Sequence, residues 1–216
     1  MKPVFTLRDR LRESTRDAIL DAAASAFNTG GASAVRMEDI AAGAGIAVGT
    51  LYNYFRDRQT LVATLLRSRT QVLLDALDAA ADGQHADQHA DQLADRPSGA
   101  HVTAELRQFV ATLVAHWDAN RVLLTLMMED LLQSGADASA MNRQHTVATQ
   151  LLARAQKLMA RGIEAGLLHP ADTGVYAAML LGMVRGVVVT SVVRGDTGFA
   201  HQSDQIVRVF LGGAAV

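Results

Sequence analysis

The chain contains no cysteine, which excludes a disulfide frame, a thiolate metal site and a cysteine nucleophile. It has three prolines in 216 residues, and aromatics make up only 5%. With helix breakers scarce, half of the residues hydrophobic, and alanine and leucine abundant, a nearly all-helical protein is predicted. This length suits one or two domains with a substantial core. The opening residues, M-K-P-V-F-T-L-R-D-R-L-R, lack the apolar segment of a signal peptide. The longest apolar run, residues 176–193, is broken by Arg185, Gly182 and Gly186 and reads as falling short of a membrane span. A soluble, cytoplasmic chain without a membrane partner is the expectation. There is also no G-x-S-x-G, no H-E-x-x-H and no Walker lysine, so no enzymatic activity, cofactor or metal is expected.

Net charge is only −2, which argues against a general nucleic-acid coat protein, but the charge is unevenly placed. Residues 1–70 hold 10 Lys and Arg against 7 Asp and Glu, whereas residues 71–216 hold 10 against 15. A mildly basic head on an acidic body orients the head toward phosphate.

One stretch of the head carries a definite pattern. Met37, Ile40, Ala41 and Ala44 recur at i, i+3, i+4 and i+7, the apolar face of a two-turn helix. Gly43 and Gly45 are expected to break it, since glycine tolerates the left-handed backbone of a tight helix end. A second short helix restarts near Ala47, with Leu51 and Phe55 turned inward and Gly49, Thr50, Tyr52, Asn53 and Tyr54 carried outward. This is the layout of a helix-turn-helix, whose second helix enters the DNA major groove. The glycines of G-A-G-I-A-V-G superficially suggest a nucleotide-binding loop, but no strand precedes them.

The run G-I-A-V-G-T-L-Y-N-Y-F-R-D-R, residues 45–58, resembles the DNA-binding signature of the TetR/AcrR regulators. The resemblance reaches from about Leu11 to about Arg69. It implies an all-α fold of about nine helices and DNA-facing roles for Gly49, Thr50, Tyr52, Tyr54 and Arg58. The residue chemistry agrees: Gly49 admits close backbone approach, Thr50 can bond a phosphate or touch a thymine methyl, and both tyrosines offer hydroxyls to phosphates. Arg58 adds charge at the head of the next helix. Many family members carry Ser-Lys where this chain has Ala47-Val48. Losing the serine removes a side-chain N-cap, and losing the lysine removes a phosphate contact. Val48 is then expected to press on a thymine methyl, and Arg36, beside Met37 at the start of the preceding helix, to restore the charge. Asn53 completes the candidate DNA-binding set.

Elsewhere the periodicity marks further helices. Residues 1–13, rich in arginine, read equally as a frayed terminus or as a basic arm touching DNA. Ser14 or Thr15 is expected to cap the first helix, which buries Ile19, Ala22, Ala23, Ala26 and Phe27. A long helix from Arg58, with Leu61, Val62, Leu65, Leu66, Val72, Leu73 and Leu77 inward, joins a DNA-binding domain over 1–58 to a helical effector-binding and dimerisation domain over 59–216. Residues 83–101 read as a mobile loop. It contains the near-repeats H-A-D-Q, H-A-D-Q and L-A-D-R; His85, His89, Asp87 and Asp91 have metal-ligand spacing, but nothing apolar supports a helix there. Val102 to Trp117 form an amphipathic helix, residues 122–132 an apolar one, and residues 141–166 and 173–193 two long ones. Ile206, Val207, Phe210 and Leu211 mark the last.

For the body, Trp117, Met127, Met128, Met141, Glu129 and His145 are the candidate lining of a small-molecule pocket, adaptable apolar groups with a few polar ones. Met179, Met183, Val187 and Phe210 are the candidate interface of a homodimer built as a four-helix bundle. Arg185, within that apolar stretch, is expected to need an acidic or carbonyl partner. Together these readings describe a ligand-responsive homodimeric repressor on a near-palindromic double-stranded operator. The alternatives are an activator, or a helical small-molecule-binding protein or enzyme without DNA activity.

Overall fold

A computed structural model describes residues 6–31, 34–86, 98–121, 138–196 and 198–214, apart from the side chains of 82–86, 138–148, 199–200 and 214. Among the described residues there are eight α-helices and no strand element. They are α1 (Leu7–Gly30), α2 (Met37–Gly43), α3 (Val48–Tyr54), α4 (Arg58–Ala86), α5 (Gly99–Ala119), α6 (Ala138–Glu164), α7 (Thr173–Arg194) and α8 (Ser203–Ala214). A 3-10 turn, Phe199–Gln202, precedes α8. The apolar helix expected over 122–132 lies outside the described residues. The helices form two compact units, divided within α4 at Arg69 and Thr70.

The first unit starts earlier than expected. Thr6, not Ser14 or Thr15, caps α1: its hydroxyl accepts from the Asp9 backbone N–H at 3.2 Å, and the Asp9 carboxylate accepts from the Thr6 N–H at 3.0 Å. This reciprocal capping box satisfies two orphan donors at once, and Thr6 holds the Asp9 carboxyl below its ordinary pKa. Thr15 lies inside the helix and donates to the Leu11 carbonyl. Ile19, Leu20, Ala23 and Phe27 then form the buried stripe of α1, packed with Met37, Ile40, Ala41, Leu51, Phe55, Leu61, Val62 and Leu65. The core of the head thus runs past residue 58 into α4. Completely burying such aliphatic side chains is worth about 1.5–3 kcal/mol each relative to exposure.

In the second unit, α5 buries Val102, Leu106, Phe109, Val110, Leu113 and Val114, the stripe read from its spacing. The unit is tied by polar links between distant stretches. Arg154 on α6 forks onto both carboxylate oxygens of Asp78 on α4 at 2.8 and 2.7 Å. Arg161 donates to buried Glu105 on α5 at 2.5 Å, and His101 lies 3.3 Å from the same oxygen. Asp172 caps α7 by accepting from the Gly174 N–H.

Several expectations about this unit change. Val72 is exposed, because it lies one residue before the buried pair Leu73 and Leu74. Phe210 is only 4% exposed and meets Tyr176 edge-to-face at 6.1 Å, so it packs inside the subunit and presents no interface side chain. Arg185 is exposed, so solvent meets its charge and burial does not demand an internal partner. Helix α7 does reach the length and composition of a membrane-crossing helix, with mean hydropathy 1.8 over its most apolar 18 residues, contrary to the shorter reading. One face of α7, Ala177, Leu180, Val184, Val188 and Ser191, is nevertheless buried.

Candidate nucleic-acid interface

Helix α2 begins where Asp39 accepts from the Arg36 backbone N–H at 3.0 Å, with Glu38 and Asp39 both in its first turn, where carboxylates complement the helix dipole. Its end is fixed by two reversed hydrogen bonds. The Ile46 N–H reaches the Ala41 carbonyl at 3.0 Å, and the Gly45 N–H reaches Ala42 at 3.1 Å. This is a Schellman turn, and it requires the left-handed backbone that Gly45 adopts at φ 68°. Gly43 has no such role: it is the last helical residue.

After the turn, Ala47 takes the extended backbone of an N-cap, φ −70° and ψ 145°, but offers no side-chain acceptor. Its carbonyl accepts from Thr50 and Leu51 at 2.9 and 3.2 Å, which closes the first turn of α3. Leu51 is fully buried and Phe55, just past the helix end, is 1% exposed. These two fasten α3 to the head core and determine which residues face out.

The outward face is narrower than the sequence suggested. Gly49, Tyr52 and Asn53 are exposed, and a Cβ added at Gly49 would meet nothing within 4 Å. Tyr52 is 46% exposed. Thr50 is half-buried at the edge of this face. Val48 and Tyr54 are also half-buried and pack against the head core, so neither presents its whole side chain outward. Met37 is 6% exposed and belongs to that core: position 37 lies one turn before Ile40 and Ala41 on the face of α2 that meets α1, so it is removed from the outward-facing set. Arg36 is exposed at the start of α2.

At the far end of α3, two residues missing from the expected set become important. Arg56 has a side chain 88% exposed and lies 3.0 Å from Asp57. It follows the extended Phe55 just past the end of α3, beside Arg58 in the same short basic run. Asp57 starts α4 by accepting from the Thr60 N–H at 2.7 Å. Hydrogen bonds from Thr60, and then from Arg56, push its carboxyl pKa down to about 2. Arg58 is half-buried with its guanidinium 5.2 Å from the centre of the Phe27 ring, and Arg16 on α1 stands 5.8 Å from the Phe55 ring. Both are within cation–π range.

The body site is less complete. Trp117 is half-buried and stacks edge-on with His116 at 5.5 Å. Met127, Met128 and Glu129 lie outside the described residues, as do the side chains of Met141 and His145 on α6. A separate open groove of about 470 Å³ runs between α4 and α5, lined by Val72, Leu73, Ala76, Ala111, Thr112 and His116 among others. Trp117, the candidate pocket residue whose side chain is described, does not line it. The expected His/Asp metal set at 85–91 falls on residues whose side chains or backbone are outside those described.

A two-turn helix, a glycine-centred turn and a second short helix with one exposed polar face define a helix-turn-helix head on a chain that is all-α among the described residues. Residues 19–65 match the family described as bacterial regulatory proteins, tetR family. Over these residues the head is similar to the DNA-binding domain of that family. No curated protein matches it. Among solved structures it is similar to a TetR transcription regulator from Haloarcula marismortui, at 17% identity and TM-score 0.71, covering 94% of this chain and 100% of that one. It is also similar to the fatty acid degradation regulator FadR from Bacillus halodurans (22%, TM-score 0.67, 91% and 98% covered). FadR from Bacillus subtilis, solved in complex with stearoyl-CoA, matches at 16% and TM-score 0.67 over 91% and 98%. At these identities the likeness establishes the fold.

Proposed function

We propose that the chain is a homodimeric, cytoplasmic repressor that reads a near-palindromic operator through α3 and is released by a small-molecule effector. The observation that carries the reading is the exposed Gly49, Tyr52 and Asn53 face on a helix whose opposite side is locked into the core by Leu51. Such a helix can lie in a major groove with its base-reading groups already oriented. Thr50, Tyr54 and Val48 contribute from the edges of that face, and Arg36 and Arg58 supply charge to the flanking phosphates. Residues 1–58 hold the reading machinery, and 59–216 serve the effector and the dimer.

For the dimer, α7 keeps an exposed apolar strip opposite its buried face. Val175 and Met179 are exposed, Met183 and Val187 are half-buried, and Gly182 and Gly186 are exposed where a second helix could approach closely. Exposed Val209 on α8 extends the apolar surface. We read the strip as a two-fold contact in place of a membrane span, because a bilayer would strand the exposed Arg185 midway along it. For the effector, the likeness to a FadR holding stearoyl-CoA favours an apolar or acyl ligand in the body. The chain would act by coupled binding equilibria, without catalysis.

The test is a gel shift with DNA surrounding the chain's own gene, comparing the wild type with a Tyr52→Ala/Asn53→Ala variant. Retarded DNA that the variant no longer retards supports the reading. Equal retardation by both, with the variant folded, contradicts it.

A further inference from the structure

We propose that the first three turns of α1 form a second DNA contact, an arginine ridge of Arg8, Arg12 and Arg16 that neutralises phosphates beside the groove entered by α3. The inference rests on the regulator reading and adds to it a surface which that reading does not use.

Residues 7–18 bury nothing: the first core residue of α1 is Ile19. About 18 Å of helix therefore adds no buried side chain to the core, with Arg16 at its inner end reaching the Phe55 ring, yet its start is built by the Thr6–Asp9 capping box. An isolated helix of this length is marginal, so the cap and the continuous α1 behind it keep an otherwise unpacked segment ordered.

The projecting turns are organised by charge. Arg8, Arg12 and Arg16 recur at i, i+4 and i+8 and form one ridge, with successive residues about 6 Å apart along the axis. Asp9, Glu13 and Asp17 follow one residue later, about 100° round the helix from the preceding arginine and, for Asp9 and Glu13, about 60° from the next. Thr6, helped by Arg12, holds the Asp9 carboxyl below its ordinary pKa. All three arginines are exposed, and among the described residues none is ion-paired to a carboxylate. Asp9 is engaged by Thr6.

Arg16 fixes the direction of the ridge. Its guanidinium lies 5.8 Å from the ring centre of Phe55, the residue just past the end of α3, so the ridge leads back to that end of the recognition helix. A guanidinium within cation–π range of a ring keeps its charge and its planar fork of N–H donors, which suits a phosphate. Phosphates of one DNA strand recur about every 3.4 Å of axis, so a ridge of this pitch can meet two or three of them.

The experiment measures log K against log salt for the full chain on a duplex it has selected from a random pool. Each phosphate contact contributes about 0.9 to the slope. Arg8→Gln/Arg12→Gln should flatten the slope by about 1.8 and weaken binding on every sequence alike, while Arg10→Gln, on the opposite side of α1, should leave it unchanged. Thermal unfolding by circular dichroism should not move, since these residues bury nothing. An unchanged slope in the double variant overturns the ridge, and so does equal flattening by Arg10→Gln, which would mean diffuse charge. If the wild type binds and Tyr52→Ala/Asn53→Ala abolishes binding while the arginine variants keep the slope, the regulator reading stands and the ridge alone falls. If no duplex is selected, both fall.

Discussion

Replacing Ala47 by serine should stabilise the head, and the reason is visible in the backbone. Ala47 already has N-cap geometry and is exposed, so Ser fits without any movement. What α3 lacks is an acceptor: no side chain caps it, and the Ala47 carbonyl serves only Thr50 and Leu51. A serine hydroxyl at this position can accept from the N–H of Gly49 or Thr50. Removing such a cap costs about 0.5–2 kcal/mol and typically about 1, so adding one should gain a similar amount. With a urea dependence of about 1–3 kcal/mol per molar, 1 kcal/mol moves the unfolding midpoint up by roughly 0.3–1 M. The assay is urea unfolding of the full chain followed by far-UV circular dichroism, with the slope of the transition compared between variants. A midpoint that stays or falls at unchanged slope would refute the claim that α3 begins with an uncapped turn.

Other expectations follow from the same geometry. Val48→Lys should tighten operator binding and steepen its salt dependence by about 0.9, since a lysine stem can cover the surface Val48 covers while its ammonium reaches phosphate; salt titrations of affinity check this. Leu51→Ala empties a fully buried site and should cost about 2–5 kcal/mol, read by denaturant unfolding, with loss of DNA binding. Asp57, with its folded pKa depressed from 3.8 to about 2, contributes stability that is present above the unfolded value and is lost as pH falls through the folded one. Acid titration should therefore show wild-type stability declining between about pH 4 and 2, and Asp57→Asn should flatten part of that decline. Met179→Asp, at a site 55% exposed on α7, should yield a folded monomer by light scattering if the apolar strip is the dimer contact.

Where the apolar period and the local turn chemistry act on the same residues, the sequence was a good guide. Ile19, Ala23 and Phe27, the α5 stripe, and Ile206 with Val207 are buried as their spacing requires. The true start of α1 was also legible, as Thr6-x-x-Asp9, but the serine and threonine eight residues later offered an equally good cap by composition. Met37 shows a different limit. Its place in the apolar period is correct, and only the packing of α2 on α1 decides that the whole side chain is consumed inside. The narrowing of the α3 face has the same cause, because half-burial of Val48 and Tyr54 depends on the shape of the core. Arg161–Glu105 and Arg69–Asp21 join residues 56 and 48 positions apart, and no local pattern announces such pairs.

The central claim is that two copies of α3 read one duplex, and selection of DNA from a random pool by the full-length chain tests it most directly. The account predicts enrichment of an inverted repeat whose half-sites are centred about one helical turn apart, roughly 34–36 Å, or a multiple of that spacing. Recovery of no enriched sequence, or of a single unpaired half-site bound by a monomer, would contradict it.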